Sequence, residues 1–96
     1  MRNINVKISS KDKEEFLTLL RRTAGNKGLF EALIQDLLTP AEITEFAIRL
    51  QIVKRLSKGG SQRDISRELH ISPATVTRGN RILNYGQGGF QKALRQ

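Results

Sequence analysis

Apolar residues recur along this chain at helical spacing, with capping residues between the runs. Only Met1 to Ser9 alternates apolar and polar, at Ile4, Val6 and Ile8. A lone alternating run has no second strand to pair with, so residues 1–9 read as a loose basic arm. Ser9 or Ser10 then opens a helix to about Ala24, with Phe16, Leu17, Leu20 and Ala24 on its inner face and Gly25 placed to stop it. A second helix is expected from about Lys27 to Leu38, apolar at Leu29, Phe30, Leu33, Ile34, Leu37 and Leu38. These two helices are rich in bulky hydrophobic residues and carry no net positive charge. They predict a core or a dimer interface, not a ligand site.

Thr39-Pro40-Ala41-Glu42 is a helix start, with Thr39 as cap, Pro40 in the first turn and Glu42 completing a capping box. The helix should run to about Lys58, where Gly59 and Gly60 end it. Its main stripe is Ile43, Phe46, Ala47, Leu50, Val53 and Leu56, and Ile48 and Ile52 widen it to a second side. A helix apolar on two sides sits centrally, packed by more than one neighbour.

Residues 61–84 then read as two short helices joined by a tight turn. Ser61 caps the first, and Asp64 stands where it can reach back to the cap. Ile65 and Leu69 give that helix one apolar face. Ile71 plugs the turn, Ser72 with Pro73 starts the second helix, and Val76 anchors it. That leaves Ala74, Thr75, Thr77, Arg78 and Arg81 near the surface. Small, hydrogen-bonding and cationic side chains at the front of an exposed helix suit entry into the DNA major groove. The second helix should end near Asn84-Tyr85-Gly86, and a last short helix can use Phe90 and Leu94 as a satellite contact. An ordinary helical hairpin with a solvated face is the bland alternative.

Charge favours the nucleic-acid reading. The chain carries 17 Lys and Arg against 9 Asp and Glu, a net charge of +8. Between Arg49 and Arg81 lie eight basic residues and two acidic ones, so six of the eight net charges fall in that segment. Such clustering calls for a polyanion. An anionic membrane surface fits less well, because no stretch pairs an aromatic-rich apolar face with a Lys-rich one.

Ninety-six residues suffice for one domain and no second core. With 38% apolar residues and no Trp, a monomer buries little, and self-association would help. There is no Cys, which excludes disulfides and thiolate metal sites. The single His has no acidic cluster, so neither a metal centre nor catalysis is expected. His70 falls at a turn position that needs positive φ, a conformation His tolerates. No apolar run approaches a bilayer-spanning length, and the start lacks a signal peptide's apolar core. A cytoplasmic protein without enzyme activity, membrane contact or required cofactor is expected.

LLTPAEITEFAIRLQIVKRL, SQRDISREL and ATVTRG occur in that order and together resemble the Trp repressor family. The likeness covers residues 33–84, with one residue fewer at Gly59-Gly60, and the early helices are similar in pattern only. The resemblance implies an all-α fold of about six short helices, an intertwined homodimer, and one domain over residues 10–96. It implies a transcriptional regulator, a repressor in the best-known members, reading a palindromic operator in double-stranded DNA. Residues matching the family's DNA-contacting positions are Arg63, Ser66, Ser72, Pro73, Ala74, Thr75 and Thr77. Ser66 replaces a Lys there, and Pro73 a longer apolar side chain.

The resemblance also implies a small co-repressor, L-tryptophan, between the central helix and the reader helix. Arg49 and Arg78 match the two flanking arginines, Gly79 the adjacent small residue, and Leu38 and Thr39 contacts from the partner chain. Ile82 stands where a Ser helps bind the ligand's amino group, and Asp36 where a Leu is usual. An effector-independent regulator, another small-molecule effector, a non-specific basic DNA- or RNA-binding architectural protein and a protein-contact module remain alternatives. Arg49 and Arg78 could instead meet DNA phosphates, or Arg49 could pair with Glu45 or Glu68.

Overall fold

A computed structural model describes residues 6–95. Among these the secondary structure is helical throughout, in the order α1 (Ser10–Thr23), α2 (Lys27–Leu37), α3 (Pro40–Ser57), α4 (Gln62–Leu69), α5 (Pro73–Tyr85) and α6 (Gly89–Leu94). The all-α expectation holds, with helix ends within a residue or two of those read from the sequence. Most of the proposed N-terminal arm, residues 1–5, lies outside the described residues. The chain divides into two compact units that meet at Thr39 and Pro40.

The first unit is a pair of helices. Ser9 caps α1 and Asp12 completes a reciprocal capping box, with bonds of 3.0 Å each way. Asn26 caps α2 by accepting from Leu29 N–H at 3.1 Å. The expected inner face of α1 is only partly covered. Phe16 and Leu17 are exposed, Leu20 is half-buried, and the buried residue is Thr23, whose hydroxyl bonds back to the Leu19 and Leu20 carbonyls. Leu19, Leu29 and Leu37 are exposed as well. Two amphipathic helices cannot enclose each other's apolar stripes, so this unit leaves hydrophobic surface open.

The second unit is built around α3, which packs against α4, α5 and α6. Its core is Ile52, Ile65 and Val76, one residue from each of three helices, with Ile48, Leu56, Leu69 and Ile71 packed around them. Val53 is also fully buried. The central position expected of α3 is confirmed; of its main stripe Val53 and Leu56 are packed inward, but the rest is unequally covered. Ile48 and Ile52, read as a widening of the stripe, face α4 and α5, whereas Phe46 is 45% exposed and Leu50 37%. With apolar residues on two sides, the period alone does not say which side its own unit covers.

Gly79 lets α5 approach α3. A Cβ built there would overlap Ile52 Cγ2 and lie 3.1 Å from Ile52 Cβ. Only a residue without a side chain allows the helices this close. At the far end, α6 packs against α3, and Gln91 Nε2 donates to the Leu83 carbonyl at 2.6 Å.

Candidate nucleic-acid interface and adjoining cleft

The geometry of the two short helices follows from their caps. Ser61 Oγ accepts from Asp64 N–H at 3.1 Å and opens α4. The Asp64 carboxylate does not return to the Ser61 N–H; it turns outward and accepts from Arg67 at 2.8 Å. A charged partner one turn along attracts it more strongly than a neutral amide. His70 ends α4 at φ 55, ψ 45, the left-handed conformation expected of this turn. Ser72 then caps α5, accepting from Thr75 N–H at 3.2 Å, with Pro73 in the first turn.

Burial sorts the residues of α5. Val76 and Gly79 are buried against the core. Pro73, Ala74, Thr77, Arg78 and Arg81 are exposed, and Thr75 is half-buried. The α5 face that the sequence assigned to a nucleic acid is therefore open to solvent. Thr75 and Ser72 hold each other, their hydroxyls 2.8 Å apart. The Thr77 hydroxyl lies 3.0 Å from the Pro73 carbonyl oxygen and 3.4 Å from Gln62 Oε1 on α4. Gln62 was not among the sequence candidates; its place beside the helix start was the available signal. Arg63 is exposed on the first turn of α4. Ser66 differs from the other candidates: it is half-buried, and its hydroxyl donates to the Ile71 carbonyl at 2.6 Å.

Two arginines of this unit are paired. Arg55 on α3 reaches Glu68 on α4 at 3.4 Å, and Arg67 holds Asp64. Arg49, Arg63, Arg78 and Arg81 have no carboxylate partner among the described residues. Unpaired guanidiniums are available to phosphates or small anions.

A cleft of about 600 Å³ opens between α3 and α5, beside the first turns of α5. Ile48, Ile52, Ile71 and Ile82 form its apolar wall; Arg49, Arg78, Arg81 and Glu45 supply its charges; Ser72, Thr75 and Gly79 complete the α5 side. Arg49, Arg78 and Gly79 thus line one cleft. The Arg49 guanidinium lies 5.3 Å from the centre of the Phe46 ring, a cation–π contact in place of an ion pair. Leu38 and Thr39 belong to the first unit, where Leu38 caps α2 by donating its N–H to Ile34. Asp36 is exposed on α2.

Two short capped helices with an exposed, basic second helix define a helix-turn-helix DNA-binding domain. The family model described as Trp repressor protein matches residues 11–96. The chain therefore belongs to the Trp repressor family, a family of DNA-binding transcription regulators. It is similar to the Trp operon repressor homolog of Mannheimia succiniciproducens, 38% identical over 78% of this chain and 75% of the relative. The Trp operon repressor homolog of Histophilus somni strain 2336 is 37% identical over 85% of this chain and 77% of its own length. Uncharacterized protein YerC of Bacillus subtilis is 39% identical over 62% of this chain, which spans 57% of that relative. No solved structure matches significantly.

Proposed function

We propose that this protein is a homodimeric, sequence-specific repressor that reads a palindromic operator in double-stranded DNA with α5. One observation carries the reading. Pro73, Ala74 and Thr77 face solvent on a capped helix whose other side is locked into the core by Val76 and Gly79. Arg63 grips phosphate or a guanine edge, and Ala74, Thr75 and Thr77 meet base edges directly or through water. Ser72 and Pro73 set the first turn at the groove. In the dimer two such helices stand roughly 34 Å apart, one turn of duplex.

The open apolar faces of the first unit support dimerisation. Phe16, Leu17, Leu19, Leu29 and Leu37 are each more than a third exposed. Interlocking with a second copy covers such residues. The α3–α5 cleft is the effector site of this reading. Arg49 and Arg78 flank a flat ligand such as L-tryptophan and bind its carboxylate. An effector-independent regulator is the second reading, favoured by Ile82 on the cleft wall. The regulator acts in the cytoplasm, and no described helix is long and apolar enough to cross a membrane.

Selection from a random duplex library followed by gel-shift titration tests the proposal. Thr75→Ala should lower preference for the selected sequence. Arg63→Ala should weaken all duplexes and reduce the salt slope by about one. Equal losses on every sequence would point to a non-specific architectural protein, and no binding at low salt to a protein-contact module. Calorimetric titration with L-tryptophan, with Arg49→Ala as control, decides whether the cleft takes that effector.

A further inference from the structure

Ser66 occupies a position that the resemblance assigns to DNA contact, yet its surroundings describe another role. Its hydroxyl donates to the Ile71 carbonyl at 2.6 Å, and its own carbonyl accepts the Ile71 N–H at 3.1 Å. Two bonds therefore join the same two residues across the turn. Between them His70 reverses the chain in the left-handed conformation. Immediately after them Ser72 caps α5. The residue held by Ser66 thus directly precedes the one that starts the reading helix.

A serine hydroxyl has one proton. Phosphate oxygens only accept, so a Ser66–phosphate bond would take that proton from Ile71. The Ile71 carbonyl would then lose its partner in a turn whose side chain packs on the core. At 2.6 Å the existing bond is short for a neutral pair and well formed.

We infer that Ser66 is a positioning residue: it clamps the Ile71 peptide, fixes where α5 begins relative to α4, and thereby sets sequence preference without touching DNA. The inference rests on the sequence-specific reading above for its effect on DNA. The clamp itself is a property of the protein alone and is measured separately.

The first measurement is amide hydrogen exchange by NMR on the free, full chain. Ser66→Ala should speed exchange at the Ile71 and Thr75 amides about three- to ten-fold, the effect of one lost hydrogen bond. Exchange in α3 should stay unchanged. Ser66→Thr, which keeps the hydroxyl, should retain the slow rates. The second measurement compares a library-selected duplex with a scrambled one. Ser66→Ala should lower the ratio of the two affinities by a similar factor and leave scrambled-duplex affinity unchanged, with Ser66→Thr restoring the ratio. Equal weakening on both duplexes would assign Ser66 to phosphate contact and overturn the inference, as would unaltered exchange at Ile71. Should Ser66→Ala not fold, Ser66→Cys, of similar size and a weak donor, supplies the same comparison. If selection yields no preferred duplex, the sequence-specific reading falls, and with it the claim that Ser66 sets preference; exchange still decides the clamp.

Discussion

Replacing Gly79 by Ala should destabilise this protein in its native background and cost little where Ile52 is shortened. In the native chain the new methyl overlaps Ile52 Cγ2 and sits 3.1 Å from Ile52 Cβ. Ile52 is 1% exposed and packed with Ile65 and Val76, so relieving the overlap means disturbing that packing. Overpacking of this kind costs about 1–3 kcal/mol. Alanine in place of glycine inside a helix recovers up to about 1 kcal/mol. The net expectation is a loss of about 1–2 kcal/mol. Ile52→Ala removes the obstructing Cγ2 and costs about 2–5 kcal/mol itself. In that background the Cγ2 overlap is gone, and the helix-propensity gain is set against the remaining 3.1 Å approach to the Cβ at position 52. The double variant should therefore be close in stability to Ile52→Ala, so most of the cost of Gly79→Ala disappears. Urea unfolding followed by circular dichroism, at one fixed protein concentration, measures all four chains. A cost for Gly79→Ala that is the same with Ile52 and with Ala at position 52 would refute the close-approach argument. Since Gly79 and Ile52 both line the α3–α5 cleft, the same cycle reports on how that cleft is set.

Three further outcomes are expected from the same unfolding assay. Val76→Ala deletes two carbons from a fully buried position shared by three helices, and should cost about 2–3 kcal/mol from transfer plus cavity; a loss below about 1 kcal/mol would mean the site collapses around the vacancy. His70→Gly should stabilise by up to about 1 kcal/mol, because relief of the left-handed strain at φ 55 outweighs the added freedom of the unfolded chain. His70→Val should be the least stable of the three chains at that position, and an unchanged midpoint for both would contradict the geometry. Ser61→Ala should lose about 1 kcal/mol with the α4 cap, whereas Glu68→Gln should lose less, since its pair with Arg55 is solvent-exposed.

What was legible in the sequence, and what was not, follows from how local each signal is. Caps act within three residues, so Ser9, Asn26, Ser61 and Ser72 each begin a helix where the residue types say one should begin. The left-handed turn at His70 was legible for the same reason. Choices between two local partners, or settled by distant atoms, were less so. Asp64 had both Ser61 and Arg67 within one turn, and the cation took it. α3 had two apolar sides, and nothing within the helix says that Ile48 and Ile52, not Phe46 and Leu50, meet α4 and α5. Gly79, twenty-seven residues beyond Ile52, is one of the distant residues involved, since its missing side chain lets α5 approach Ile52. Ser66 shows the converse limit. A family pattern places it at a DNA contact, but a pattern records positions and not protons. With Ser in place of a long cation, the side chain is too short to leave its own turn, and the nearest strong acceptor is the Ile71 carbonyl. The substitution that makes this reader unlike the better-known pattern thus converts a reaching residue into a bracing one.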